Sequence, residues 1–247
     1  MNQSLQSVYA GQAGSGVLAT ERNRVLRNTY WLLALSLVPT VLGAWIGVTT
    51  GVMARMGMGL STMIFLVGAF GLMFAIERFK NSATGVALLL GFTFFMGLML
   101  SRLLAAVLGF ANGSTLIMMA FGGTAVVFFA MASLATAIKR DLSGMGKWLF
   151  VGALVLMVGA IVNVFVGAIM LLVAGLLNLF FQSSALMITL SVIAIGLFSA
   201  FMLYDLKRVL DGGETNYVTA TLAIYLDIYN VFQSLLALLG IFGGERE

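Results

Sequence analysis

The sequence predicts an all-α membrane protein with seven transmembrane helices. The chain has 247 residues, of which 61% are hydrophobic and only 9% are charged. A soluble domain carries about 25% charged residues to cover its surface. The apolar residues also form runs of roughly 20, the length that a helix needs to cross the hydrocarbon core of a bilayer. Lipid is therefore the expected solvent for most of this chain.

Six apolar runs are plainly long enough to span a membrane: about 28–49, 58–76, 83–101, 115–138, 148–168 and 184–206. The seventh run, about 217–242, also qualifies, although it contains an aspartate. The apolar piece 169–182 is too short to add a span, and it predicts an interfacial or re-entrant segment. These bounds divide the chain into a flexible polar tail (1–27), a transmembrane domain (28–242) and a short C-terminal tail (243–247).

The basic residues lie mostly on one side of the predicted membrane. Ten belong to the N-terminal tail and to the loops after the second, fourth and sixth runs: Arg22, Arg24, Arg27, Arg78, Lys80, Lys139, Arg140, Lys147, Lys207 and Arg208. Three belong to the other side: Arg55, Arg102 and Arg246. Because cytoplasmic loops are enriched in Lys and Arg, we expect a cytoplasmic N-terminus and, with seven spans, a C-terminus on the outer side.

The chain contains no cysteine and no histidine. Their absence excludes thiolate nucleophiles, Ser-His-Asp hydrolases and metal sites built from thiolate or imidazole ligands. Histidine is also the only side chain that ordinarily titrates near neutral pH, so any pH sensor here has to be a carboxylate. No basic stripe suggests a nucleic-acid partner.

Asp227 lies inside the last apolar run, in YLDIYNVFQSLL. On a helical wheel, the arc of about 80° that contains Asp227 also contains small and polar residues: Asn216, Ala220, Ala223, Asn230 and Ser234. A carboxylate that faced lipid would cost about 2.5–3.5 kcal/mol, so we expect this arc to face protein or water. Asn230 and Ser234 are the candidates for lining a pathway beside Asp227.

A second carboxylate, Asp205, comes shortly before the Asp211-Gly212-Gly213 break between the last two helices. The two helices form an antiparallel hairpin with one aspartate on each arm. Counted from the break, the heights of the two aspartates differ by more than about 10 Å at 1.5 Å per residue. Spacing alone therefore leaves their contact open, and Asp205 also fits an ordinary charge near a helix end.

Four segments together resemble the bacterial branch of the transmembrane Bax inhibitor motif family: GGTAVVFF, KRDLSGMG, YDLKRVL and GGETNYVTATLAIYLDIYNVFQSLL. The resemblance extends over about 27–242. It implies six helices wrapped around a central seventh, in a monomer of the bacterial inner membrane with a periplasmic C-terminus. It also implies a pH-sensitive calcium leak channel gated by an aspartate pair. In that scheme Asp205 and Asp227 form the gating pair, and Arg78 in AIERFKNS latches it.

The calcium expected from this resemblance is weakly bound or permeating, and no resident cofactor is expected. Calcium takes six to eight oxygen ligands, and two aspartates alone cannot form a tight site. Two carboxylates that share a site also cannot both ionise cheaply, which makes the pair a workable sensor without histidine.

Other functions remain open. Some bacterial relatives lack the aspartates and are tied to membrane-protease regulation, and this sequence shares their GGETNY loop. The main alternative is therefore an interaction protein that modulates a membrane-bound protease and contacts it through the N-terminal tail. An intramembrane aspartyl protease is disfavoured because the second motif is YLD rather than GxGD, so we expect no enzyme. A transporter of small solutes is a further alternative, although no inverted repeat is evident.

Overall fold

The computed structural model describes the backbone of residues 3–158 and 184–244, with the side chains of 20–57, 59–158 and 187–244. This part of the chain is helical, with turns and no strand. Its helices are α1 (Gln3–Thr50), α2 (Val52–Arg55), α3 (Met58–Phe79), α4 (Ala83–Leu108), α5 (Gly113–Ala137), α6 (Met145–Val158), α7 (Ser184–Leu210) and α8 (Tyr217–Gly243).

Six of these helices contain a stretch long and apolar enough to cross a membrane. The stretches are Thr20–Thr50, Gly59–Phe79, Ala83–Leu108, Gly113–Ala137, Met187–Leu210 and Tyr217–Gly243. They confirm six of the seven predicted spans, with most ends within a few residues of the prediction, although α4 continues to Leu108, seven residues beyond its predicted end. The remaining span, 148–168, coincides with apolar helix α6 only as far as Val158. Its second half and the predicted interfacial segment 169–182 lie outside the described residues.

The N-terminal segment differs from the prediction in its backbone. The sequence predicts a flexible tail over 1–27, whereas α1 is helical from Gln3 onward. Pro39 is the only proline of the chain, so nothing before it removes a backbone donor from the helix. The polar composition of this segment explains why the predicted span begins only after it. That composition does not prevent the segment from forming a helix.

Segments rich in basic residues meet at one end of the bundle. The side chain of Arg22 packs beside Gly212 in the α7–α8 turn. From the same turn, the Asn216 side-chain amide donates to the backbone oxygen of Lys80 (3.2 Å) and to Oδ1 of Asn81 (2.7 Å) in the α3–α4 turn. We call this the basic end. Because successive spans cross the membrane in opposite directions, the sequence predicts that the N-terminal segment, the α3–α4 turn and the α7–α8 turn lie on the same side.

At the opposite end of the bundle, a second asparagine joins the α4–α5 turn to the end of α8. Nδ2 of Asn112, in the α4–α5 turn, donates to the backbone oxygen of Gly243 (2.6 Å) at the last turn of α8. Asn216 caps the other end of α8, since its Oδ1 accepts from the backbone N–H groups of Val218 (2.9 Å) and Thr219 (3.2 Å). An asparagine side chain therefore ties each end of α8 to another part of the bundle.

Helix α8 lies at the centre of the described bundle. It packs against α1, α3, α4, α5 and α7, and 44% of its span is buried, more than in any of the other five spans. Its Tyr225 and Tyr229 side chains are almost fully buried between α1 and α4. The core of the protein is thus built around the helix that carries Asp227.

Helices α1 and α4 approach each other through glycine. A methyl group added at Gly97 would overlap the backbone oxygen of Thr40, and one added at Gly43 would overlap that of Phe94. By contrast, a methyl group at Gly91 on α4 would meet open space. Small residues allow this backbone contact in a membrane, where no hydrophobic effect drives helices together.

Candidate functional site

The two aspartates sit on the arms of the predicted α7–α8 hairpin. Helix α7 ends at a tight turn in which Gly212 has a φ of 79°, a left-handed conformation that glycine adopts without steric cost. The backbone N–H groups of Gly212 and Gly213 donate to the carbonyl oxygens of Val209 (3.2 Å) and Arg208 (2.9 Å). The Asp211-Gly212-Gly213 break is therefore confirmed as the end of α7.

The carboxyl groups of Asp205 and Asp227 lie within hydrogen-bonding contact of each other. Asp205 lies five residues before the end of α7 and Asp227 ten residues after the start of α8, a height difference of about 7.5 Å at 1.5 Å per residue. The contact left open by the sequence is thus present in the structure.

The tilt of side chains on a helix explains how this gap closes. Each Cα–Cβ bond leans toward the N-terminus of its own helix. In the antiparallel hairpin the side chain of Asp205 therefore leans away from the turn, while that of Asp227 leans toward it. The two tilts bring the carboxyl groups together at an intermediate depth.

Asp227 is deeply buried, with only 4% of its surface exposed. Its Oδ2 is buried, and no described donor forms a hydrogen bond with it. Two ionised carboxylates are both acceptors, so only a shared proton can turn the contact with Asp205 into a hydrogen bond. The geometry therefore distinguishes a singly protonated pair, which attracts, from a fully ionised pair, which repels.

A cavity of about 350 Å³ lies beside the pair at the basic end. Asp205 lines it, together with the end of α3, the α7–α8 turn and the first half of α8. Asp227 does not line it, but Ala223 and Leu226, on the turn of α8 just before Asp227, do. One aspartate therefore borders the cavity and the other is buried behind its wall.

Four charged side chains of the cavity lining form two ion pairs. Lys80 pairs with Glu77 on α3, and Nη2 of Arg208 lies 3.0 Å from Oε2 of Glu214. Within the described parts of the chain no cation forms an ion pair with Asp205, although the charge of Arg208 acts on it. Glu77 and Glu214 are therefore each paired with a base, whereas the direct partner of Asp205 is another acid, Asp227.

The other predicted site residues lie farther from the pair or bond elsewhere. Arg78, predicted as the latch, is exposed and does not line the cavity; the basic residues that do are Lys80 and Arg208. Asn230 donates to the Leu226 carbonyl of its own helix (2.7 Å). Ser234 is half-buried two turns beyond Asp227, and neither Asn230 nor Ser234 lines the cavity.

Sequence reasoning missed three polar contacts that hold α8 in place. The Thr221 hydroxyl donates to the Tyr217 carbonyl oxygen of its own helix (2.6 Å) and also lies 3.3 Å from the Thr29 carbonyl oxygen. The Tyr225 hydroxyl lies 2.9 Å from Thr40 Oγ1, and the Tyr229 hydroxyl donates to the Met96 carbonyl oxygen (3.2 Å). The only signal in the sequence is the spacing of four residues, which places the three hydroxyl groups on one helix face.

A tight metal site is not assembled here. In residues 3–158 and 184–244 no three Asp, Glu, His or Cys side chains are arranged to hold a metal ion. Calcium prefers six to eight oxygen ligands, so the aspartate pair suits a passing cation better than a resident one.

The KRDLSGMG segment forms a local turn outside the spans. The backbone N–H and hydroxyl of Ser143 donate to the carboxylate of Asp141 at 2.8 and 2.9 Å. These hydrogen bonds hold the pKa of Asp141 below its usual value. This motif orders the α5–α6 turn.

Comparison with known proteins confirms the family resemblance that the sequence segments predict. The family model described as Inhibitor of apoptosis-promoting Bax1 matches residues 22–168 and 164–244. Modulator of FtsH protease YccA from Escherichia coli K12 is 34% identical over 218 residues, which cover 88% of this chain and 90% of that protein. Inner membrane protein YccA from Escherichia coli O6:H1 gives the same values.

An uncharacterized membrane protein of Vibrio cholerae is 35% identical over 225 residues, covering 90% of this chain and 91% of its own. The family match takes in all six described spans and the α7–α8 hairpin with its two aspartates. The chain is therefore a multi-pass membrane protein that belongs to the Bax inhibitor-1-like family, Inhibitor of apoptosis-promoting Bax1.

Proposed function

We propose that the protein modulates a membrane-bound protease of the FtsH type and is not itself an enzyme. The observation that carries this proposal is the similarity to the Escherichia coli K12 protein named as a modulator of FtsH protease, at 34% identity. The similarity covers 88% of this chain and 90% of that protein. It therefore involves nearly the whole membrane domain, which supports a shared role for the whole protein.

The length of α1 supports a contact outside the membrane. The helix has 48 residues, which is about 72 Å at 1.5 Å per residue, against about 30 Å for the hydrocarbon core. Its apolar run, about 28–49, occupies only the second half of the helix. Residues 3–19 precede it and extend from the basic end, where a protease domain beside the membrane can reach them.

Deleting residues 2–19 should abolish the effect of the protein on an FtsH-type protease. The half-life of a membrane substrate of FtsH should be measured in cells that lack their own YccA. Producing the full chain should change that half-life, whereas the shortened chain should leave it unchanged. The Asp205→Asn variant serves as the matched control and should act like the full chain, because its N-terminal helix is intact.

An unchanged half-life with the full chain would contradict the proposal. A loss of effect in Asp205→Asn alone would instead assign the activity to the aspartate pair. Membrane insertion of each variant should be verified by its recovery in the membrane fraction.

A second candidate function, a pH-sensitive leak of calcium or another cation, is favoured by the contact between Asp205 and Asp227. The pair adjoins a cavity of about 350 Å³ at the basic end, and carboxylate oxygens are the ligands that calcium prefers. In this function the cation is cargo, and protonation of the pair controls its passage. Arg78 keeps its predicted role as latch in this proposal, although Lys80 and Arg208 are the basic residues that line the cavity.

The proposal includes a monomer with seven spans, six of them around α8, in the inner membrane with the basic end in the cytoplasm. The distribution of Lys and Arg supports this orientation. A reporter fused before Met1 should read as cytoplasmic and one fused after Glu247 as periplasmic. Cytoplasmic activity of both fusions would contradict seven spans and favour an even number.

A further inference from the structure

The α7–α8 turn contains a carboxylate, Glu214, that contacts several elements at once. Its Oε1 accepts hydrogen bonds from the backbone N–H groups of Thr215 and Asn216, both at 3.0 Å, and from the hydroxyl of Thr219 at 3.2 Å. Its Oε2 lies 3.0 Å from Nη2 of Arg208 at the end of α7. One side chain thus joins the end of α7, the turn and the start of α8.

The ion pair formed by Glu214 and Arg208 borders the cavity and is partly exposed to the aqueous phase. Both residues line the cavity that Asp205 borders. The side chain of Glu214 is 16% exposed and that of Arg208 47% exposed, so the pair has one side toward water and the other toward the cavity. The two backbone N–H groups of Gly213 and Glu214 also donate to the Arg208 carbonyl oxygen, at 2.9 and 3.2 Å.

We propose that the Arg208–Glu214 ion pair is a lid that restricts entry from water into the cavity beside Asp205. Arg208 is held across the turn by Glu214, and without that partner its long side chain is free to swing into water. Glu214 is therefore a positioning residue, since it acts on the cavity through Arg208. This inference goes beyond the proposed functions, because it concerns access to the aspartate pair whichever activity the pair serves.

Cysteine labelling tests the lid directly, because the chain has no native cysteine. Ala223 lines the cavity, so Ala223→Cys places a thiol behind the lid. The purified full-length protein in lipid nanodiscs should be treated with a cationic reagent, methanethiosulfonate ethyltrimethylammonium, and separately with an anionic one, methanethiosulfonate ethylsulfonate. Nanodiscs expose both faces of the membrane, so the result does not depend on orientation.

Both Glu214→Gln and Arg208→Gln should raise the labelling rate at Ala223→Cys by about threefold to fivefold, the population change expected from losing a partly exposed ion pair. The rise should occur with both reagents. A purely electrostatic effect would instead act in opposite directions: Glu214→Gln would slow the cation and speed the anion, and Arg208→Gln would do the reverse. Glutamine at 214 retains an oxygen that can accept from the turn, so the turn keeps most of its hydrogen bonds.

Two controls separate a lid from general loosening. Glu77→Gln breaks the other ion pair of the same cavity and removes the same charge, but it should change the rate by less than about twofold. A thiol placed at Gly144, in the exposed α5–α6 turn, should react at the same rate in every variant. Unchanged labelling at Ala223→Cys in both lid variants, or the opposite-sign electrostatic pattern, would overturn the proposal.

Discussion

Replacing Asp227 by Asn should remove the pH dependence of cation flux through the purified protein in proteoliposomes. In the proposed cation leak, a proton shared with Asp205 holds α7 and α8 together, and ionisation of both groups drives them apart. Flux should therefore rise as the pH increases through the range in which the pair loses its shared proton. In Asp227→Asn the amide Nδ2–H donates to the Asp205 carboxylate at any pH, so flux should stay low and vary by less than about twofold across the same range.

Asp205→Asn should have the same effect, and the double variant should add little, because groups in direct contact act as one unit. Asp141→Asn is a matched control. It removes a carboxylate from the α5–α6 turn, outside the spans, and should keep the full pH profile. Each variant should elute from gel filtration as the wild type does. A complete pH response in folded Asp227→Asn would leave this residue a packing role only and remove the main support for a cation leak.

Gly97→Ala should cause the largest loss of stability among single methyl additions in the described spans of α1 and α4. The new methyl would overlap the backbone oxygen of Thr40 and lie 2.9 Å from the backbone nitrogen of Ala44. Main-chain atoms of a helix cannot rotate away as a side chain can, so the two helices have to separate. Overpacking of this kind costs about 1–3 kcal/mol, which corresponds to a fall in Tm of about 2–12 °C for a chain of this size.

The matched control is Gly91→Ala, on the same helix. Its methyl would meet open space, and alanine is the better helix former, so its Tm should stay within about 2 °C of the wild type or rise. Both variants should be measured by thermal unfolding in the same detergent. Similar Tm values for the two variants would show that the α1–α4 contact adjusts more easily than its geometry indicates.

The positions of the spans could be predicted from the sequence because hydropathy depends only on local composition. Six predicted spans coincide with apolar helices of the structure, most of them to within a few residues, although α4 continues seven residues beyond its predicted end, to Leu108. The tight contact between α1 and α4 could not be predicted in the same way. Glycine occurs 29 times, and only the packing of helices distinguishes Gly97, against a backbone, from Gly91, against open space.

The candidate site was predicted in part. Burial of Asp227 was predicted from its small and polar neighbours, of which Ala220 is buried and Ala223 lines the cavity. Contact with Asp205 depends on the opposite tilts of two side chains, which a count of residues from the turn does not include. Glu214 and its ion pair with Arg208 could not be found from spacing, because the path of a six-residue turn is set by its own hydrogen bonds.

The two asparagines that anchor the ends of α8 bear on which helix would move if the aspartate pair separated. Asn216 fixes one end of α8 to the α3–α4 turn, and Asn112 fixes the other end to the α4–α5 turn. The hydroxyl groups of Tyr225 and Tyr229 fix its middle to α1 and α4. Because α8 is held at three levels, we expect it to stay in place if the pair separates. We then expect the separation to take the form of a swing of α7, pivoting at the Gly212 turn.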